Sequence, residues 1–299
     1  MCWPRPPKVK KKMSKPFINM AFGPDNSWII WIDASPGGKE PPHYRSSAKL
    51  PQTLERRLYG RRRDVKAIHA AAFGQDNNFI LSFKSTGDED QHLWHLPKYR
   101  NLDSWLIGNP CDKSTFWASL GPDTEFFACS QRARHWNVDE EELEEQLQDR
   151  SEQNIAGVTF GVDGCAIVLD KDGKLTEIGD VKTGYKMLHK VLEDHRTQKG
   201  KGKVVRSVAL SPFAHDQYFI SFADGTSEYS QDAFGTDPKE LIDSLRDEYK
   251  HMCDKTSAEP DLAGQVKKSY QDCKVPYLLT TKLTKAKKGY DVTFWPEDY

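Results

Sequence analysis

Apolar residues in this chain come in short runs on either side of a recurring turn. Runs such as FINMAF and TFWASL precede the turn, and runs such as WIIWI and FILSF follow it. Two β-prone runs joined by a tight turn predict a β-hairpin. The turns read FGPDNSW, FGQDNNF, LGPDTEF, FGVDGCA and, more loosely, LSPFAHDQY. Proline and aspartate both favour tight turns, so we interpret the aspartates as turn formers rather than ligands: Asp25, Asp76, Asp123, Asp163 and Asp216.

A third β-prone run and then a helical pattern follow each predicted hairpin. The third runs contain PHYR, HLWHL, RHWNV, KLTEI and TSEYS. After each run, leucines recur four residues apart, which is typical of one helix face. These pairs are Leu54/Leu58, Leu102/Leu106, Leu143/Leu147, Leu188/Leu192 and Leu241/Leu245. The sequence therefore predicts five β-β-β-α units, with the turn aspartates 51, 47, 40 and 53 residues apart.

A single unit of this size cannot bury its own faces, so the five units are expected to stack. The pattern resembles propeller-type tandem repeat proteins with GPD-x-x-[YFW] repeats, a group without an assigned function, over roughly residues 17–253. It lacks the Gly-His and Trp-Asp signatures of WD40 repeats. The resemblance implies a mainly β fold with short helices, closed into a propeller-like ring. An open solenoid and a sixth, degenerate unit are the alternatives.

Three segments are predicted from this pattern. Residues 1–16 form a basic disordered tail, residues 17–253 form the five-repeat domain, and residues 254–299 form a linker with two strands that close the ring. Composition agrees with a folded chain, because 33 aromatic residues accompany a hydrophobic content of 37%. With a net charge of −1 and no long apolar run, we expect neither a membrane partner nor general attraction to nucleic acid.

The six cysteines are scattered and form no C-x-x-C motif, which favours reduced thiols. We therefore expect an intracellular monomer, cytoplasmic or nuclear, with no cofactor. The KVKKK stretch suggests nuclear import through Lys10, Lys11 and Lys12, and a solvated tail is the alternative. This tail and the arginines near Arg61 leave a nucleic-acid partner open, but no nucleic-acid-binding motif supports one.

The candidate ligand site lies on the third runs. Aromatic residues occupy comparable places there in four units, and histidines accompany them in two: Tyr44, Trp94, His95, His135, Trp136 and Tyr229. An aromatic pocket with a titratable group is a common ligand site, whereas a core role is the competing interpretation. The spacing His92-x-x-His95 places the two side chains on opposite faces of a strand, so no metal site is predicted.

Three functions fit these features. The first is a non-catalytic binding module that presents one face of a repeat ring to a protein or a small-molecule ligand. The second is an enzyme, of isomerase, cyclase or hydrolase type, with His95 or His135 as acid/base in an aromatic pocket. The third is a lectin, which the divergence of the repeats disfavours. Since the chain contains none of the familiar catalytic motifs, the binding module is the preferred hypothesis.

Overall fold

The computed structural model describes residues 18–32, 44–61, 63–109, 111–131, 133–150, 154–197, 203–230, 238–258, 279–286 and 289–296. By the contacts within the chain, the protein divides into two compact parts, Met1–His251 and Met252–Tyr299. Among the described residues, no helix has both the length and the apolar character needed to cross a membrane. Lys10, Lys11 and Lys12 lie outside the described residues, so the import signal stays a prediction.

The part Met1–His251 contains five three-stranded antiparallel sheets, and within each sheet the strands lie side by side in chain order. The strands are β1 (Ile18–Phe22), β2 (Trp28–Ile32), β3 (Tyr44–Ser46); β4 (Val65–Phe73), β5 (Phe79–Ser85), β6 (Asp90–His95); β7 (Trp117–Leu120), β8 (Phe126–Cys129), β9 (Arg134–Asn137); β10 (Ile155–Phe160), β11 (Ala166–Asp170), β12 (Leu175–Ile178); and β13 (Val205–Leu210), β14 (Tyr218–Phe222), β15 (Ser227–Tyr229). We number these sheets one to five. The predicted mainly β architecture is confirmed.

Helices follow the third strand of every sheet, as predicted. They are α1 (Gln52–Tyr59), α2 (Arg100–Gly108), α3 (Glu141–Asp149), α4 (Val181–Gly184), α5 (Lys186–Thr197) and α6 (Pro238–Ala258). The predicted leucine pairs are buried in the first four units. In the fifth unit Leu245 and Ile242 are buried and Leu241 is half-buried, so the inward face of α6 includes Ile242 beside the predicted leucines.

The repeated turn is explained by backbone conformation. In all five units its aspartate has a positive φ of 50–56°, in the left-handed region that aspartate and asparagine tolerate better than most residues. A backbone hydrogen bond closes each turn, as where the Gly121 amide donates to the Glu125 carbonyl at 2.8 Å. The interpretation of these aspartates as turn formers is confirmed.

Most of the apolar core lies between successive sheets, and we call each such space a junction. One cluster joins sheets one and two with α1, a second joins sheets two and three with α2, a third joins sheets three and four with α3, and a fourth joins sheets four and five with α4 and α5. Helices α1 to α5 are thus each wedged between two sheets. Buried aliphatic and aromatic side chains of neighbouring units therefore stabilise one another.

The first strands of the sheets lie beside one another. β4 contacts β1 and β7, β10 contacts β7 and β13, and β13 also contacts β1. Side chains tie the fifth unit to the first: the Gln217 amide donates to Asn26 Oδ1 at 3.1 Å, and the Arg45 guanidinium pairs with Glu248.

The C-terminal part of the chain, Met252–Tyr299, contains a two-stranded antiparallel sheet of its own, β16 (Leu279–Ala286) and β17 (Gly289–Pro296). The strand pair that the sequence predicted near the C-terminus is therefore present. Its assignment to ring closure stays a prediction.

Candidate functional site

The aromatic residues predicted as ligand contacts lie in several junctions. Trp94 belongs to the cluster between sheets two and three, and its indole Nε1 donates to Asp103 of α2 at 2.8 Å. Trp136 belongs to the cluster between sheets three and four. The two tryptophans therefore lie on opposite faces of sheet three and do not line one common pocket.

Tyr44 and Tyr229 do not share a register position. Tyr229 is opposite Phe219, in the place that Trp94 and Trp136 occupy in their sheets, whereas Tyr44 is opposite Trp31, two residues farther along. Tyr44 is buried, and its hydroxyl donates to the Leu58 carbonyl at 2.8 Å, which is a core role. A contact between any of these aromatic residues and a ligand stays a prediction.

The two histidines have different surroundings. His95 is exposed at the end of β6. His135 stacks on Trp105 of α2, with ring centroids 5.6 Å apart, and burial lowers its pKa. Within the described ranges, no three His, Cys, Asp or Glu side chains converge to hold a metal ion.

A cavity of about 340 Å³ lies between sheets three and four, at the end where β8 and β9 meet. Its volume falls at the lower end of the range for small-molecule sites. The lining combines polar and cationic side chains with apolar ones, and it consists of Thr115, Trp117, Cys129, Ser130, Gln131, Ala133, Arg134, Ile155, Ala156 and Lys171. None of these lining residues carries a carboxylate.

Arg134 is the central polar group of this cavity. Its Nη2 donates to the Arg150 carbonyl at 3.0 Å, and its guanidinium lies 5.0 Å from the centre of the Trp136 ring. The Nε and Nη1 atoms of Arg134 are buried and have no hydrogen-bond partner among the described residues. A buried donor without a partner costs free energy, so the guanidinium is arranged for an acceptor that the protein itself does not supply.

Asp170, which precedes the lining residue Lys171 in the chain, is paired with an arginine. The Asp170 carboxylate is 2.6 Å from Arg150 Nη1, and Arg150 also donates to Gln146 at 3.0 Å. Lys171 adds a second positive charge at the exposed part of the cavity lining. The local charge of this cavity is therefore positive.

Trp117 lines this cavity and also a second cavity of about 160 Å³, which lies among the first strands of the sheets. Its indole packs on Gly157, where an added Cβ would lie only 2.6 Å from Nε1. The Trp117 Nε1–H is buried and has no acceptor in the described part of the chain. Asn19, His69 and Ser207 contribute further polar atoms to the second cavity.

Cys129 also lines the larger cavity, but as a neutral thiol. Burial raises its pKa to about 12, although the positive charges of Lys171 and Arg134 oppose the shift. The thiolate is the nucleophilic form of cysteine, so Cys129 is unsuited to nucleophilic catalysis near neutral pH.

The chain matches no protein-family model, no curated protein and no solved structure. The resemblance to propeller-type repeat proteins therefore stays a prediction from the repeat pattern.

The sequence did not point to this cavity, because its lining comes from several strands that are separated along the chain. By strand register, Arg134 opposite Cys129 is equivalent to His92 opposite Ser82. A bulge in β10 between Ile155 and Gly157 places Ile155 in the cluster between sheets three and four, as Phe116 lies in the cluster between sheets two and three.

Proposed function

We propose that this chain is a non-catalytic binding module whose five β-β-β-α units close into a propeller-like ring. The contacts of β13 with β1, and the two polar links between the fifth and first units, support closure rather than an open solenoid. Small-angle X-ray scattering tests the ring: a compact particle is expected, and an elongated one would contradict closure.

The junction between sheets three and four is the proposed binding site for a small-molecule ligand. The observation that carries this proposal is a cavity of about 340 Å³ with buried, unpaired donors on Arg134 and Trp117. Ligand pockets characteristically combine apolar walls with a few polar groups, and the lining of this cavity includes both Trp117 and Ile155 and the polar Arg134 and Lys171. The neutral thiol of Cys129 agrees with a binding role rather than a catalytic one.

A thermal-shift screen with small anionic, neutral and cationic compounds tests this site. Compounds that stabilise the wild-type chain should lose their effect in Ala156→Phe, because Ala156 lines the cavity and a phenylalanine ring there would occupy part of it. Binding that Ala156→Phe does not disturb would place the ligand elsewhere. A screen in which no compound of any class binds would contradict the proposed function.

A further inference from the structure

We infer that the cavity between sheets three and four takes a small organic anion, with a carboxylate or phosphate group facing Arg134 and Trp117. This inference rests on the proposed function, because it names the class of ligand for the same cavity. It concerns the shared chemistry of the two groups, an oxyanion that accepts several hydrogen bonds.

Among the side chains that line this cavity, the buried polar atoms without a hydrogen-bond partner in the described part of the chain are all donors. Arg134 contributes Nε and Nη1, and Trp117 contributes Nε1, each buried and unpaired among the described residues. An arginine can present two parallel N–H groups to one carboxylate or phosphate, which gives stronger and more specific binding than a point charge. Three unpaired donors on two lining residues therefore favour a ligand with acceptor oxygens over an ammonium or a hydrocarbon.

Electrostatics favour the same class of ligand. Arg134 and Lys171 line the cavity, and the adjacent carboxylate of Asp170 is held by Arg150. The guanidinium of Arg134 is held in place by the Arg150 carbonyl and by the face of Trp136. A preorganised charge loses less conformational entropy on binding than a mobile surface lysine, so Arg134 is expected to provide most of the affinity and Lys171 less.

The shape of the cavity limits the size of the anion. In the preceding junction, the rings of His92 and Phe116 fill the equivalent space, with centroids 4.6 Å apart. Here Ile155 and Arg134 occupy the equivalent places, and neither side chain carries a ring. The indole of Trp117 provides apolar surface in the lining. A compact anion with one ring or a short carbon chain fits this space.

Calorimetric titration at constant ionic strength tests the inference with matched probes. Benzoate and benzamide have nearly the same shape but differ in charge, and phenyl phosphate and inorganic phosphate test the second oxyanion. We expect benzoate or phenyl phosphate to bind at least tenfold more tightly than benzamide. Arg134→Gln should weaken the anion at least tenfold, whereas Lys171→Gln should have a smaller effect.

Arg45→Gln is the matched control, because Arg45 is also a partly exposed arginine on the third strand of its sheet. It pairs with Glu248, and neither residue lines this cavity. It should leave anion binding unchanged. Equal affinity for benzoate and benzamide, or full binding by a folded Arg134→Gln variant, would overturn the anion inference. If neutral compounds alone bind and Ala156→Phe blocks them, the proposed function stands and the anion inference is wrong. If nothing binds, both fail.

Discussion

The junction between sheets two and three and the junction between sheets three and four have the same plan but different contents. In the first, Phe116 is 3% exposed and its ring packs against His92. In the second, Ile155 and Arg134 occupy the equivalent positions, and a cavity of about 340 Å³ is present. Protein interiors are normally close-packed, so a large polar cavity at one junction is a departure that needs a reason.

The comparison also shows what holds the filled junction together. The Tyr99 hydroxyl donates to the Gly121 carbonyl at 2.8 Å, across from unit two to the turn of unit three. Tyr185 donates in the same way to the Ser211 carbonyl at 2.7 Å, from unit four to unit five. The scaffold around the open junction is therefore fixed on both sides. Departures from an otherwise consistent pattern tend to mark functional positions, and this rigid setting suits a binding site.

The largest expected effect comes from emptying the filled junction. Phe116→Ala should lower the free energy of unfolding by about 3–5 kcal/mol, since the lost ring leaves a cavity among buried neighbours. Chemical denaturation measures the change. Phe116→Leu keeps most of the side-chain volume and should cost clearly less. A much smaller decrease in the free energy of unfolding of Phe116→Ala would mean that this junction tolerates a cavity. The two junctions would then not differ in how tightly they need to be packed.

A smaller effect is expected from moving the wall of the cavity. In Gly157→Ala the added Cβ would lie 2.6 Å from Trp117 Nε1, so the indole must shift. Overpacking of this kind costs about 1–3 kcal/mol, which denaturant unfolding can measure. Because the indole also lines the cavity, benzoate affinity should fall as well.

Gly108→Ala is the control for this substitution, because a Cβ added at Gly108 would meet no neighbouring side chain within 4 Å. Gly108 ends α2, and alanine there should leave stability unchanged or raise it slightly. Equal behaviour of the two alanine variants would show that Trp117 has room to move.

The tyrosine link at the filled junction should contribute less again. Tyr99→Phe removes a buried hydroxyl and leaves the Gly121 carbonyl without this donor, at a cost of about 1 kcal/mol. Tyr59→Phe serves as the comparison, since the Tyr59 hydroxyl pairs with Ser46 at an exposed position and should matter little. The denaturation midpoints of the two variants measure these effects. An unchanged midpoint in Tyr99→Phe would show that the hydrogen bond from Tyr99 to Gly121 does not stabilise this junction.

The β-β-β-α unit could be predicted from the sequence because it depends on local signals. Apolar runs, turn aspartates and leucines four residues apart each act within a few residues, and the structure confirms all three in most units. The cavity depends instead on residues of several strands, such as Arg134 of β9 and Ile155 of β10, whose proximity the sequence does not show. The third-run aromatics stay a prediction as ligand contacts, and sequence cannot show that sheet three separates Trp94 from Trp136.

The smallest expected effect is a pH dependence at the filled junction. Burial lowers the pKa of His92 to about 4, and the charges of Lys113 and His69 act in the same direction. The unfolded chain, with a histidine pKa near 6.5, binds this proton first, so stability falls as the pH drops from about 6.5 towards 4. His92→Leu should remove this contribution, about 1 kcal/mol or less between pH 7 and pH 5, because the ring is partly exposed to solvent. Unfolding free energies of the wild type and the variant, measured across that range, should diverge only below pH 6.5. Parallel curves would show that His92 is protonated alike in both states, and the filled junction would then be more open to water than its packing indicates.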